Sequence, residues 1–205
     1  MAVSNSVSSS RSTRGRGVRG LIAWVAAVAS VVTTVAQVTG QDAAPISLEH
    51  QVKIAFLYNF ARFVEWPKAT FARPDAPVIL GILGSDGFCS DIEKMLQGKT
   101  VDSHPLVIRH VQSVGQVQPS QILFISSSVH NDLARILGLL SGVPVLTVGD
   151  TDSFTSLGGM INFRMEANKV RFDINIDAAE RSGLKLSSKL LSVSRVVHDE
   201  RGGKD

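Results

Sequence analysis

Cysteine is almost absent from this chain of 205 residues, because Cys89 is the only one. A single thiol cannot form a disulfide within the chain and cannot supply a cysteine-rich zinc site. The free energy of folding therefore has to come from a hydrophobic core. Cys89 follows Phe88, and we expect it to be a small buried residue, with an intermolecular disulfide as the alternative.

Motifs that carry catalysis are missing as well. The chain has five histidines without the paired spacing typical of metal ligands, namely His50, His104, His110, His130 and His198. Ser126 follows an apolar segment but lacks the Gly-x-Ser-x-Gly elbow of hydrolases, and it stands where a receiver domain would have its phosphoacceptor aspartate. A turn or capping role is expected for Ser126. The sequence thus predicts a protein that is not an enzyme and uses no metal or cofactor.

The N-terminal region has the features of an export signal. Four arginines precede an uncharged apolar run from Leu21 to Ala36. This order is typical of a secretory signal peptide, with cleavage after Ala36 or as late as Gly40. We therefore predict that residues 1–36 are a cleaved signal and that the mature protein is periplasmic. An uncleaved membrane anchor is the alternative, although sixteen apolar residues are fewer than the roughly 17 to 25 that a spanning helix needs.

Excess positive charge is confined to that signal. The whole chain carries 21 basic and 18 acidic residues, a net charge of +3. Residues 1–36 hold four arginines and no acids, so 17 basic residues face 18 acidic ones in the remainder, a net charge of about −1. A nucleic-acid-binding protein needs a clustered basic surface, and the sequence argues against that class.

Strand-like and helix-like segments alternate after the first helix without a long linker or a repeat. Apolar runs predict strands, and amphipathic runs predict helices, in the order 78–83, 86–96, 106–111, 122–125, 129–140 and 145–148. Near-continuous apolar strands need helices on both faces of a parallel sheet, so we predict α/β layering of the flavodoxin or Rossmann type. Residues 45–198 form a single domain in this interpretation, and residues 199–205 form a disordered tail.

Strict alternation of apolar and polar residues predicts an antiparallel hairpin over residues 160–176. A two-residue loop at 167–168 keeps the two faces consistent, and Arg164 then lies opposite Arg171. Like charges in this position need diagonal acids or an anionic partner. We interpret the polar face either as a self-compensated surface or as a contact for a partner. Beyond the hairpin, Asp177 and Glu180 have the spacing of a capping box.

The region from Phe56 to Pro67 holds five of the chain's twelve aromatic residues. Three- and four-residue spacing predicts a helix whose apolar stripe faces the core and consists of Leu48, Val52, Phe56, Phe60 and Phe63. Pro67 is expected to end this helix. Aromatic residues and arginine are common interface anchors, so the exposed side predicts a partner-binding surface of Tyr58, Arg62, Glu65 and Trp66. The alternative is that the tyrosine and tryptophan are edge residues of the core.

A turn rich in small residues, Gly84–Gly87, follows the first core strand. In open α/β sheets, ligands bind outside the carboxyl ends of the strands. Four polar residues at these ends predict a small-molecule site, namely Ser85, Asp86, Ser126 and Asp150. The glycines do not match Gly-x-Gly-x-x-Gly, so the sequence does not indicate a dinucleotide. Ordinary capping chemistry is the alternative.

The stretch from Phe56 to Pro67 resembles the signature of the YfiR-like family of exported α/β proteins. The resemblance covers residues 48–197 and continues at 81–88, 122–126, 146–150, 158–163, 170–175 and 183–191. It favours a helix near the end of the domain, where residues 184–197 alone suit either a strand or a helix.

In the best-understood members, this resemblance implies periplasmic repression of a membrane-bound diguanylate cyclase. It implies that this chain binds the periplasmic domain of an inner-membrane receptor, and that an outer-membrane partner releases the receptor by sequestering it. Arg164 and Arg171 join the partner-binding residues in this interpretation. The alternative function is a small-molecule sensor coupled to a transporter or a histidine kinase. A homodimer through the aromatic helix is compatible with either function.

Overall fold

The computed structural model describes residues 45–71, 73 and 75–199. The predicted signal at 1–36, and the predicted tail apart from Asp199, lie outside these residues. The helices are α1 (Leu48–Phe63), α2 (Gly87–Leu96), α3 (Leu133–Leu140), α4 (Ile176–Arg181) and α5 (Ser188–Leu191). The strands are β1 (Val64–Glu65), β2 (Val78–Leu83), β3 (Thr100–Val101), β4 (His104–Val111), β5 (Ile122–Ile125), β6 (Leu146–Gly149), β7 (Ile161–Glu166), β8 (Lys169–Asn175), β9 (Lys185–Leu186) and β10 (Arg195–Val197).

The predicted α/β layering is confirmed. The main sheet has eight strands in the order β10-β8-β7-β6-β5-β2-β4-β3. Five of them are mutually parallel and adjacent, in the order β4-β2-β5-β6-β7. Numbered along the chain, these five strands have the order 2-1-3-4-5, which is the order of flavodoxin-like sheets.

The central strands are apolar on both faces because each face meets its own core. Leu80, Ile82, Ile122 and Phe124 join one cluster of buried residues, which also contains side chains of α1 and α2. The alternate residues of the same strands join a second cluster with α3, among them Leu83, Leu123 and Ile125. Helix layers on both sides therefore account for the near-continuous hydrophobic pattern.

The hairpin of β7 and β8 has only one apolar face. Phe163 and Phe172 lie under α1, where the ring centroid of Phe60 is 5.7 Å from Phe163 and 5.2 Å from Phe172. The predicted register is confirmed, since Arg164 lies opposite Arg171 and the two-residue turn at 167–168 has positive φ angles.

Two expectations for the first helix were wrong. Leu48 was predicted to face the core, but it is 75% exposed. Of the other predicted core residues, Phe60 is buried and Phe56 and Phe63 pack against the core. The buried residues that the prediction did not include are Lys53, Ile54, Leu57 and Ala61. The helix also ends at Phe63, before the predicted stop at Pro67. It ends there because the backbone at Val64–Glu65 becomes extended and pairs with Leu186 and Lys185 of β9. Glu65 is consequently a strand residue, outside the exposed face of α1.

The C-terminal region differs from the sequence prediction in two respects. Asn175, and not Asp177, caps α4, because its side chain accepts a hydrogen bond from the backbone N–H of Ala178 at 2.9 Å. The predicted final helix is limited to α5, and β10 then adds to the sheet parallel to β8. Gly183 follows α4 with φ +72°, the left-handed conformation that glycine adopts after the end of a helix.

The loop between β6 and β7 leads to a first prediction. Phe154 is fully buried, and a Cβ added at Gly159 would lie 2.2 Å from its ring. We expect Gly159→Ala to lower the free energy of unfolding by about 1–3 kcal/mol, because the ring and the local backbone have to move. Urea unfolding of the purified protein measures this change.

Gly138→Ala is the matched control, because nothing lies within 4 Å of a Cβ at that helical position. It should be neutral or stabilising by roughly 0.5–1 kcal/mol, the usual preference for alanine within a helix. Equal effects of the two substitutions would contradict the proposed packing of Phe154.

Candidate functional site

The carboxyl ends of β2 and β5 meet where the strand order reverses. In flavodoxin-like sheets this topological switch point is where ligands bind. The turn after β2 contributes Ser85 and Asp86, and the residue after β5 is Ser126. The structure thus brings three of the four sequence-predicted ligand residues to the expected position.

These three residues belong to one hydrogen-bond network, which a fourth residue, Ser128, completes. The hydroxyl of Ser126 donates to Asp86 Oδ2, and its oxygen accepts the backbone N–H of Ser128 at 3.0 Å. The hydroxyl of Ser128 lies 2.8 Å from that of Ser126 and accepts the backbone N–H of Ser85 at 3.1 Å. The second oxygen of Asp86 caps α2 by accepting the N–H of Cys89 at 2.9 Å. The predicted capping role of Ser126 is confirmed, since it begins a 3-10 turn at Ser127–Asp132.

The electrostatics of Asp86 reflect this network. Burial alone would raise the pKa of its carboxyl group, but the hydrogen bonds from Ser126 and from the backbone of Cys89 outweigh burial and lower it. Gly84 permits the close approach, because it has φ +107° and a Cβ there would lie 2.6 Å from Ser128 Oγ. The polar groups at the switch point are therefore already hydrogen-bonded to other groups of the protein.

The fourth predicted residue, Asp150, belongs to a different cluster. It follows β6, and its Oδ2 lies 3.2 Å from Nζ of Lys53. Lys53 also pairs with Glu49 at 2.8 Å, one turn earlier on α1, and its side chain is only 9% exposed. The ammonium group of Lys53 also lies over the ring of Phe88, at 5.7 Å from the ring centroid.

The sequence interpretation missed Lys53. A usable pattern was present, because Lys53, Leu57, Phe60 and Val64 follow one another at spacings of four, three and four. That spacing places the lysine on the buried stripe of the helix. A lysine in such a position needs partners of opposite charge, and here the acids come from α1 itself and from the end of β6.

A cleft of about 500 Å³ opens beside Asp150. Its lining consists of Ser127, His130, Leu133, Asp150, Thr151, Asp152 and Leu157. Among the residues that the structure describes, Oδ1 of Asp150 and Oγ1 of Thr151 are buried without a hydrogen-bond partner. The residues that carry these two shielded atoms, Asp150 and Thr151, both belong to the lining of the cleft.

Cys89 is buried and unpaired, in agreement with the sequence prediction. Burial raises the pKa of its thiol to about 12, so the thiolate that would react or bind a metal is not formed at neutral pH. Within residues 45–71, 73 and 75–199, no group of three or more histidine, cysteine or acidic side chains is placed to hold a metal ion.

The predicted surface around the end of α1 is partly tied to the domain itself. The hydroxyl of Tyr58 donates to the carbonyl of Thr100 at 2.5 Å. The indole N–H of Trp66 donates to the carbonyl of Gln121 at 3.0 Å. Both rings are half-buried against the core, while Arg62 and Glu65 are exposed. This arrangement favours the alternative that the two aromatic residues are edge residues of the core.

The second predicted surface is the polar face of the hairpin. Asp173 on β8 is 6% exposed and lies between arginines of both neighbouring strands. Arg164 of β7 donates to it through Nε at 2.8 Å, and Arg195 of β10 donates through Nε at 2.9 Å and also through Nη2. Arg171 is exposed and makes no ion pair with any other residue that the structure describes. The role of both surfaces in binding remains a prediction.

A family model described as YfiR/HmsC-like matches residues 50–195, which includes every helix and strand except the first two residues of α1 and the end of β10. No curated protein matches the chain. In the part of the chain that the structure describes, no helix is both long enough and apolar enough to cross a membrane.

The Asp86 network generates a prediction about pH. We expect Ser126→Ala to lower the free energy of unfolding by about 1–3 kcal/mol at neutral pH, because a charged oxygen of Asp86 loses its hydroxyl donor. The lowered pKa of Asp86 stabilises the wild type above the unfolded-state value near 3.9, and this contribution is lost as the pH falls through the folded-state value. The difference between variant and wild type should therefore narrow on acidification.

Urea unfolding at neutral and acidic pH measures that difference. Ser127→Ala is the control, because Ser127 is the exposed neighbour and its hydroxyl does not contact Asp86. A difference between Ser126→Ala and wild type that stays constant from neutral pH to below about pH 4 would show that the hydroxyl does not set the pKa of Asp86.

Proposed function

Since the chain belongs to the YfiR/HmsC-like family, we propose that it is a periplasmic regulatory protein that represses an inner-membrane diguanylate cyclase by binding the periplasmic domain of that receptor. The family match over residues 50–195 is the observation that carries this proposal. The export signal predicted at 1–36 supports the location. The protein acts by binding and not by catalysis.

Repression by a binding protein requires a difference in affinity. The protein has to bind the inactive state of the receptor more tightly than the active state, and each 1.4 kcal/mol of that difference shifts the receptor equilibrium about tenfold. Release follows when another partner, at the outer membrane, sequesters the protein. The receptor is then free to adopt its active state.

Two surfaces are candidates for the receptor contact. One is the end of α1 with Tyr58, Arg62, Glu65 and Trp66, and the other is the hairpin face with Arg164 and Arg171. The β-sheet carries the hairpin face directly, and hydrogen bonds to Thr100 and Gln121 hold Tyr58 and Trp66 of the first surface in place. Such preorganised side chains lose little conformational freedom on binding.

Intracellular cyclic di-GMP tests the proposal. We expect its level to rise when the gene is deleted from the native host, because the cyclase is no longer held inactive. Restoring the full chain should return the level to that of the wild type. A form lacking residues 1–36 serves as the control, because it cannot reach the periplasm and should not restore repression. An unchanged level on deletion, or equal rescue by both forms, would contradict the proposal.

A second candidate function is a small-molecule sensor coupled to a transporter or a histidine kinase. The specific observation in its favour is the cleft of about 500 Å³ beside Asp150. Two acids in its lining, Asp150 and Asp152, suit a ligand that donates hydrogen bonds, such as the ammonium group of an amino acid. The network at Ser85, Asp86 and Ser126 would stay intact when this cleft is filled.

Isothermal titration with amino acids and nucleotides tests this second function. We expect heat from an amine-bearing ligand with the wild-type protein, and a loss of about tenfold or more in affinity for Asp150→Asn, because a charged acceptor becomes neutral. Asp132→Asn is the matched control, since Asp132 is an exposed acid that does not line the cleft. Absence of heat from every ligand would exclude this function for the tested classes.

A further inference from the structure

On one part of the sheet, no helix among the residues that the structure describes covers the outer side. The strands β7 and β8 pack against α1 through Phe163, Phe172 and Ile174, which belong to the same core cluster, and β10 extends the sheet beside β8. The second cluster, on the other side of the sheet, contains no residue of these three strands. Their outer face is therefore formed by the alternate, polar side chains, which we name the arginine face: Asn162, Arg164, Glu166, Lys169, Arg171, Asp173 and Arg195.

The arginine face is positive, although the domain is not. Residues 45–199 carry 15 basic and 15 acidic side chains, so their net charge is zero. Four of the basic residues and two of the acids lie on the arginine face, which leaves +2 there and −2 on the rest. The face is thus a local basic surface, and its potential attracts anionic groups over about one Debye length, roughly 8–10 Å in physiological salt.

Asp173 holds two of the arginines in place. It bonds Arg164 and Arg195 from opposite sides, and Arg164 is further fixed by Glu166 at 2.6 Å. Each guanidinium has five N–H donors, so both keep donors that these bonds do not use. Arg195 stays 60% exposed in spite of its bonds. Two guanidinium groups are therefore oriented before any partner arrives.

Arg171 adds a third guanidinium whose charge has no counterpart on the face. It lies directly opposite Arg164 and next to Asp173 along β8. Like charges in this position are unfavourable unless an anion offsets them, and both acids of the face are already bonded to Arg164. An external carboxylate placed between Arg164 and Arg171 would remove the repulsion and accept two parallel N–H bonds, the geometry that arginine favours.

We infer that the arginine face is the docking surface for an acidic segment of the receptor's periplasmic domain, with Arg171 as its central anchor. This inference rests on the proposed function for the presence of a receptor, and on the charges and geometry of the face for the chemistry of the contact. An acidic protein segment fits better than a nucleic acid, because two excess charges over three short strands cannot follow a phosphate backbone.

The first experiment uses poly-L-glutamate as the acidic probe and isothermal titration at low salt. We expect the wild-type protein to bind, with an affinity that falls as salt is added. Arg171→Glu should bind at least about tenfold more weakly. Arg135→Glu makes the same charge change on an exposed arginine of α3, away from the face, and should bind like the wild type. Arg171→Gln, which removes the charge without reversing it, should fall between the wild type and Arg171→Glu.

The inference is overturned if the wild type does not bind, or if Arg135→Glu loses as much affinity as Arg171→Glu. A further titration replaces poly-L-glutamate with phosphatidylglycerol vesicles. Binding to vesicles that depends on Arg171, without binding to poly-L-glutamate, would assign the face to a membrane surface and overturn the acidic-protein assignment. Equal unfolding midpoints for the variants would show that the substitutions act on binding and leave the fold intact.

The second experiment separates this inference from the proposed function. Cyclic di-GMP is measured in the deletion strain carrying the wild-type chain, Arg171→Glu or Arg135→Glu, each exported to equal amounts. We expect repression by the wild type and by Arg135→Glu, and a level as high as in the deletion strain with Arg171→Glu. Repression by all three overturns the inference and leaves the proposed function standing. If deletion itself changes nothing, the proposed function fails, and the poly-L-glutamate result still decides the chemistry of the face.

Discussion

Burial of both faces of the central parallel strands is the constraint on which the rest of the structure depends. A chain without a disulfide within it has to draw its stability from apolar burial. Here two separate cores share the strands β2 and β5, because successive side chains of each strand point alternately into one core and the other. This sharing fixes α1 and α2 on one side and α3 on the other. It also fixes where the strands end, and so places Asp86, Ser126 and Asp150 at the carboxyl ends of the parallel strands.

As a result, the polar groups at the switch point and those on the hairpin differ in how many of their hydrogen bonds are already made within the protein. At the switch point between β2 and β5, polar groups converge but bond to one another through Ser126 and Ser128. At the hairpin, no described residue contributes a second helix layer, and the polar groups face outward with unused hydrogen-bond donors. A fold usually associated with ligands at its strand ends thus also carries charged groups with unused hydrogen-bond donors on the outer face of its sheet.

Local patterns predicted much of this fold, and the failures have physical causes. The pairing register of the hairpin followed from the alternation of side chains along each strand, because a shift by one residue would move Phe163 and Phe172 to opposite faces. Strand order could not be predicted, since it depends on how the connections pack. The cap of α4 was misplaced because Asn175 and Asp177 are both capping types, and only the end of β8 decides between them. Lys53 was missed because its acidic partner Asp150 is 97 residues away along the chain.

The edges of the main sheet are its shortest strands. β3 has two residues and β10 has three, and each covers part of a longer neighbour. Exposed strand edges can pair with other chains, and short edge strands are one way in which natural proteins prevent that association. In a domain whose single buried thiol cannot form a disulfide within the chain, such edges limit strand pairing between partly open forms. The edge strand β10 is short and pairs only with Asp173–Asn175 of β8. A partner that approaches this side of the sheet therefore meets the arginines of the hairpin.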